Sequence, residues 1–406
     1  MASPLQRTVG LPGAVLLGLG AMLGTGAYVV IPDLALRHAP ATVFAALAVA
    51  ALVAWCNGLS SARLAAAHPV AGGTYAYGRA FATPLVGQLA GWLFLIAKSL
   101  TAVAAAKSLA AMAGLPHPAA SGALAMLAVV IWTALILVGL RRTAVVNLVL
   151  VAVGIIGLGL WATHGVFVDA SPAATFEPIS GLTLAALIFV AFTGYGRIAT
   201  LGEEIREPQR NIPQAVLLTV VTTALLYGAL VWATPRYGLA AGDHALPLPE
   251  LALSADLPVW QVGALTLGLL CAVGGVLLNL ILGLSRVVLA MARHRDLPAG
   301  LAELDARHEP RRAILAVALA LLLLIPWGDV RLAWAQSAAA VLLYYGLTNL
   351  VCIGHSWQQR RRLPWFALAG GAGCLLLATQ VPLYAWPLVV GICLPGLAFS
   401  RFAIRK

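Results

Sequence analysis

The sequence predicts an all-α integral membrane protein, a single polytopic domain of about twelve spanning helices. Three observations point there. Of the 406 residues, 61% are hydrophobic and only 10% are charged, and the mean hydropathy is +0.94. The apolar residues fall into runs close to the roughly 20 that cross a bilayer as a helix, and these runs take up more than half of the chain. Two of the runs are interrupted at depth by small residues: Gly24-Thr25-Gly26, and Thr193-Gly194-Tyr195-Gly196.

The first span runs from Leu11 to about Leu36 and contains the first interruption. Its apolar character continues past the glycines to Ile31, which fits an uncleaved span better than a signal peptide. The second covers about Ala41 to Ala66, and a glycine-bearing loop, His68 to Tyr75, follows it. The third is long, about Pro84 to Ala113. The fourth, Pro118 to Leu140, stops at Arg141-Arg142, and the fifth covers Ala144 to His164. After a loop rich in Ser, Pro and acids, the sixth span starts at Gly181, carries the second interruption and ends at Glu203-Glu204. The seventh (Pro213 to Ala233) and eighth (Val259 to Met291) flank a loop bearing Asp243, Glu250 and Asp256. The most highly charged loop, Arg293 to Arg312, leads to four more spans near Ala313–Pro326, Leu332–Gly354, Leu363–Gln380 and Leu383–Ser400. The ninth of these is short for a crossing.

Spans one and six carry matching interruptions, and each opens a block of five. An odd number of helices per block forces the second block to run with opposite topology, the inverted repeat of many secondary transporters. The expected division of 1–406 is 11–166, then 181–354, with 363–400 as two peripheral helices.

The formal net charge is +11. With the N-terminus in the cytoplasm, eighteen of the 25 Lys and Arg fall on the cytoplasmic side. Arg37, Arg236 and Arg331 fall on the other, and Lys98, Lys107, Arg197 and Arg286 lie within helices. This is the positive-inside pattern of a multi-pass protein with both termini in the cytoplasm. It argues against a nucleic-acid partner, whose footprint is a continuous basic face. Cys56, Cys271, Cys352, Cys374 and Cys393 sit in apolar runs without metal or redox spacing, and the histidines are scattered. No metal site, cofactor or catalytic constellation is expected. Gly24-Thr25-Gly26 is not a phosphate loop, since no Lys-Ser/Thr follows it.

A broken span frees amides at the start of one half and carbonyls at the end of the other. Freed amides favour a carboxylate, and freed carbonyls accept from an ammonium. Two breaks side by side would hold both ends of a zwitterion without a charged side chain. The substrate-binding candidates are therefore Gly24, Thr25, Gly26 and Ala27 with Phe192, Thr193, Gly194, Tyr195 and Gly196. The bland alternative is close helix packing by small residues.

Lys98 lies 14 residues into the third span, about 20 Å along it and near mid-membrane. A charge at that depth is a functional candidate, either a proton-exchanging amine or a fixed cation in place of a sodium ion. Lys107, half a turn out of phase and nearer an interface, reads as a snorkelling residue, as does Arg286 at the inner end of the eighth span. Arg197 and Glu204 share a helical face seven residues apart and could form a salt bridge or gate latch. Asn279 and Ser285 read as interhelical hydrogen bonders, and Trp92 as an interface anchor.

Several segments resemble the amino acid–polyamine–organocation superfamily of permeases. Gly24-Thr25-Gly26-Ala27-Tyr28 matches its broken first helix, and Pro69-Val70-Ala71-Gly72-Gly73-Thr74-Tyr75-Ala76-Tyr77 resembles the segment before helix 3. Phe192-Thr193-Gly194-Tyr195 and the stretch from Glu203 to Pro213 resemble helix 6 and its following loop. Ser285-Arg286, Ala290-Met291-Ala292-Arg293 and Leu297-Pro298 resemble the end of helix 8. The matches span about residues 20 to 300 in the family's order. The resemblance implies a LeuT-type 5+5 inverted repeat, transport of amino acids or related amines, and substrate contacts at the two breaks. Two departures stand out. Many members carry an acid just after the helix 6 break, where this chain has Gly196-Arg197. Some proton-coupled members carry a lysine in helix 5, where this chain has only Asn147 as an internal polar residue.

The expected function is inner-membrane secondary transport of an amino acid by alternating access. A neutral substrate is favoured because the site has few acids, and a proton is favoured as the coupling ion because Lys98 is titratable. Exchange and uniport stay open, as does a polyamine or cationic amino acid substrate, which Lys98 would repel. A sensor on the same fold and a membrane-embedded enzyme are the alternatives from other classes. The partners expected are a small amino acid, membrane lipid and a proton. The sequence assigns no oligomeric state.

Overall fold

The computed structural model describes residues 9–68, 70, 72–113, 118–138, 144–168, 179–200, 205–239, 245–305, 309–360 and 362–404. The described residues are almost wholly helical. In chain order the α-helices are α1 (Leu11–Met22), α2 (Ile31–Arg37), α3 (Pro40–Ala67), α4 (Thr74–Phe81) and α5 (Pro84–Ala111). Next come α6 (Pro118–Val138), α7 (Ala144–His164), α8 (Gly181–Phe192), α9 (Gly196–Thr200), α10 (Pro208–Ala233) and α11 (Leu248–Ser254). The rest are α12 (Val259–Arg293), α13 (Arg311–Leu324), α14 (Val330–Gln358), α15 (Trp365–Thr379) and α16 (Trp386–Ile404).

Eight segments are long and apolar enough to cross a membrane, and each of two bent helix pairs could supply one more, giving up to ten. The protein is therefore an all-helical, multi-pass membrane protein. By length and composition the described helices supply eight to ten of the twelve spans expected from hydropathy. Helix α13 has 14 residues, about 21 Å, which falls short of the roughly 30 Å hydrocarbon core. The two runs read as spans eleven and twelve form one pair, α15 and the segment Leu383–Phe399, turning by 100° at the break.

Helix ends follow local chemistry. The Thr83 hydroxyl accepts from Val86 N–H at the start of α5, and Asp329 accepts from Leu332 N–H at the start of α14. Such caps satisfy amides that the helix leaves unpaired. The turn into α4 uses Gly72 at φ 120° and Gly73 at φ 57°, a backbone that side chains resist. A parallel bridge between Val9 and Ile205 pins the start of α1 to the segment after α9, with Arg206 N–H donating to Val9 O at 2.9 Å.

The core lies among α3, α5, α8, α12 and α14, while Leu127, Ile131, Ile156, Leu225, Leu323 and Leu375 remain exposed on the perimeter. An exposed apolar perimeter around a buried polar interior is what lipid demands, because hydrocarbon offers nothing to an unpaired polar group. The interior is stitched by short polar contacts. Asn349 Nδ2 donates to Asn57 Oδ1 at 2.6 Å, and the Ser60 hydroxyl donates to Asn349 Oδ1 at 2.6 Å, joining α3 to α14. The Thr101 and Ser337 hydroxyls meet at 2.8 Å between α5 and α14. The five cysteines are all free, as their positions implied.

Candidate functional site

The first interruption is a real break. Helix α1 ends at Met22, and the axis of the segment Gly26–Arg37 turns by 50° from it. Gly26–Val30 is then wound as a π-helix before α2 begins. Thr25 is 2% exposed, and its hydroxyl has no hydrogen-bond partner among the described residues. The second interruption is milder than a full break. Thr193–Tyr195 forms a single 3₁₀ turn between α8 and α9, and Gly181–Ile198 still passes as one span.

The two interruptions touch. A Cβ on Gly194 would lie 2.6 Å from both the carbonyl carbon and oxygen of Ala21, so only glycine admits this backbone approach. A Cβ on Gly26 would lie 2.7 Å from the Cβ of Ala191. The Tyr227 hydroxyl of α10 sits over the junction, 2.9 Å from Met22 O and 3.2 Å from Ala191 O. One phenolic proton is thereby shared between the last turns of α1 and α8. The tyrosine adds a donor to Ala191 O and to Met22 O, which also accepts from Gly24 N–H at 3.0 Å.

Beside this junction lies a cavity of about 90 Å³. Its walls come from Ala21 of α1, Thr193, Gly194, Gly196 and Arg197 at the second interruption, Lys98 and Phe94 of α5, Asn279 and Arg286 of α12, and Tyr344 and Tyr345 of α14. Lys98 is 8% exposed, and its Nζ donates to Thr193 Oγ1 at 2.8 Å. Thr193 in turn donates that hydroxyl's proton to Val190 O at 2.7 Å, and its own carbonyl accepts from Tyr345 at 3.2 Å. The lysine expected at mid-membrane thus reaches across from α5 to the second interruption.

Of the sequence candidates, the cavity wall contains Lys98, Thr193, Gly194, Gly196 and Arg197. Gly24, Thr25, Gly26 and Ala27 are buried beside it but do not form its wall. Phe192 and Tyr195 are also fully buried behind it: Phe192 packs edge-on against Tyr227, and Tyr195 against Tyr345. Glu204, the proposed partner of Arg197, lies outside the described residues, as does the side chain of Asn147. Arg286, read as a snorkelling residue, is exposed at the cavity wall. Asn279 and Ser285 bond within their own helix, to Gly275 O and Leu282 O. Trp92 packs against Gly396 of α16, so it serves a helix contact.

Two charged clusters escaped sequence reasoning. At the end of the molecule away from the cavity, Asp33 of α2 accepts from Arg331 of α14, Nη2 at 2.7 Å and Nε at 3.0 Å, and from Arg37 Nε at 3.2 Å. At the cavity end, Asp296 is 0% exposed. It accepts from the Tyr75 hydroxyl at 2.7 Å, Gln88 Nε2 at 2.8 Å and Arg79 Nη1 at 3.0 Å, tying α4 and α5 to the turn after α12. Burial pushes the Tyr75 phenol up from its ordinary value, and Asp296 adds to this, so the hydroxyl stays a donor. Burial and the Arg79 guanidinium together hold the nearby His294 imidazole below its ordinary value, with Asp296 opposing them.

The comparisons with known proteins agree with this geometry. The sequence profile described as amino acid permease matches residues 9–399. An uncharacterized transporter of Mycobacterium tuberculosis is 36% identical over 99% of this chain and 92% of its own length. A branched-chain amino acid permease of Bacillus subtilis is 27% identical over 75% of this chain and 71% of its own. A vacuolar cationic amino acid transporter of Arabidopsis thaliana is 25% identical over 84% of this chain and 58% of its own.

Proposed function

The chain belongs to the amino acid permease family, whose members are transporters and not enzymes, and on that premise we propose that it carries an amino acid across the inner membrane by alternating access. The observation that carries this reading is the contact of the two interruptions, with Gly194 against Ala21 beside a cavity. In this reading the substrate lies against the second break at the cavity wall. In another state of the alternating-access cycle its carboxylate reaches the amides of the first break, one layer behind that wall. Its ammonium there reaches the second-break carbonyls, which here accept from Thr193, Tyr227 and Tyr345. The chain forms a 5+5 inverted repeat, 11–166 and 181–354, with 363–400 added at the periphery. Both termini face the cytoplasm, as the positive-inside bias implies. The cavity then faces the cytoplasm, and the Asp33–Arg331 pair closes the outer end. The name of the Bacillus relative favours an apolar side chain. That of the Arabidopsis relative favours a cationic one, which the cavity's own cations Lys98, Arg197 and Arg286 oppose.

Purified protein in proteoliposomes should take up at least one labelled amino acid saturably and be competed by the unlabelled form. Uptake no higher than in protein-free vesicles across all twenty amino acids, in either direction and with or without a proton gradient, would overturn the reading.

Coupling to protons is assigned to Lys98, whose ammonium meets Thr193 across the interface between α5 and the second interruption. Arg197 and Arg286 are the other charged groups at the cavity wall among the described residues. Lys98→Met is expected to flatten the dependence of uptake on external pH. A profile parallel to the parent's would remove Lys98 from coupling.

Closure at the outer end gives a separate prediction. Arg331→Met leaves Asp33 with Arg37 alone. In a background carrying cysteine in place of buried Ala35, it should raise the rate of labelling by an impermeant thiol reagent by roughly tenfold, equivalent to about 1.4 kcal/mol of closure. Unchanged labelling would show that the pair does not hold α2 against α14.

A further inference from the structure

Lys98 is a buried cation with too few acceptors. Its ammonium carries three N–H donors, and among the described residues it has one acceptor, Thr193 Oγ1 at 2.8 Å, and no carboxylate within ion-pair distance. Thr193 Oγ1, which donates its own proton to Val190 O, is a neutral acceptor and brings no counter-charge to the ammonium. The remaining donors face a cavity whose wall adds Arg197 and Arg286 and, among the described residues, contains no Asp or Glu. A buried charge is tolerated in a low-dielectric interior when it is paired and hydrogen-bonded. A neutral zwitterion brings no net charge to such a wall, whereas a substrate with one extra carboxylate brings a counter-charge to Lys98.

From this geometry we infer that the substrate is an amino acid with an acidic side chain, whose side-chain carboxylate pairs with Lys98. The inference rests on the transport reading above and refines its substrate class. It also replaces the neutral substrate expected from sequence. That expectation counted the absence of acids; Lys98 and Arg286 stand at the cavity wall. Arg286, exposed at the wall, would draw the anion inward.

The test compares isosteres. Uptake by the parent protein in proteoliposomes is measured for aspartate and glutamate against asparagine and glutamine, which match them in size and lack the charge. The acids should compete at least tenfold better than the amides. In Lys98→Gln that preference should fall to parity or reverse, and Lys98→Arg should restore part of it. If the parent prefers the amides, or transports only neutral amino acids, the inference fails and the transport reading stands. If no amino acid is taken up, the transport reading itself fails. Should Lys98→Gln not yield a monodisperse protein, the parent's acid-to-amide ratio alone decides.

Discussion

Gly194→Ala is expected to abolish measurable uptake while the protein still inserts and purifies. The added Cβ would stand 2.6 Å from the backbone carbon and oxygen of Ala21 and 2.6 Å from Met22 Cγ. A flexible side chain could swing aside, but the Ala21 peptide cannot without moving α1. Overpacking of this kind costs about 1–3 kcal/mol, or roughly fivefold to 150-fold on any state that needs the two interruptions in contact. Gly122→Ala is the matched control: its Cβ would meet nothing within 4 Å, and the residue sits within α6. There, alanine in place of glycine should leave uptake intact and slightly favour the helix. Parent-like uptake by Gly194→Ala would show that the close approach is dispensable.

Asp296→Ala should produce the largest loss of stability. It removes a fully buried carboxylate from three donors at once and leaves the Arg79 guanidinium, 22% exposed, without that partner. Breaking a buried ion pair from one side typically costs about 3–5 kcal/mol. Thermal unfolding in detergent should fall well below the parent's, and yield from membranes should fall with it. Tyr75→Phe deletes only one hydrogen bond to the carboxylate and should cost about 1.5–3 kcal/mol, the range for bonds to charged groups. The order of the two variants is the discriminating result. Equal melting of both would mean that Asp296 is held mainly by its phenol and not by the arginine and glutamine.

Hydropathy was enough to recover most of the helices, because lipid penalises any other backbone arrangement. It says less where length matters more than composition: helix α13 is apolar but has 14 residues, and α15 and the segment Leu383–Phe399 meet at a 100° bend. The junction was legible too. Gly194 and the Gly24–Gly26 cluster announced a close backbone approach, and the depth of Lys98 announced its reach to the interior. The cavity's other walls were not. Tyr227, Tyr344 and Tyr345 sit in ordinary apolar runs, and nothing in periodicity says which carbonyl a buried phenol will meet. The partners of Asp296 lie more than 200 residues away, and Arg331 lies 298 residues from Asp33. Periodicity reports which face of a helix is covered, not what covers it. It also placed Gly24 to Ala27, Phe192 and Tyr195 close to the cavity without distinguishing residues that form its wall from those one layer behind.

The shared Tyr227 proton has a mechanical corollary. A hydroxyl bound to the end of α1 and the end of α8 at once makes those two strokes of chain a single jaw. Any rocking motion that kept this bond would have to slip along another seam. The lone lysine contact from α5 and the tyrosine edge of α14 mark where that seam would part.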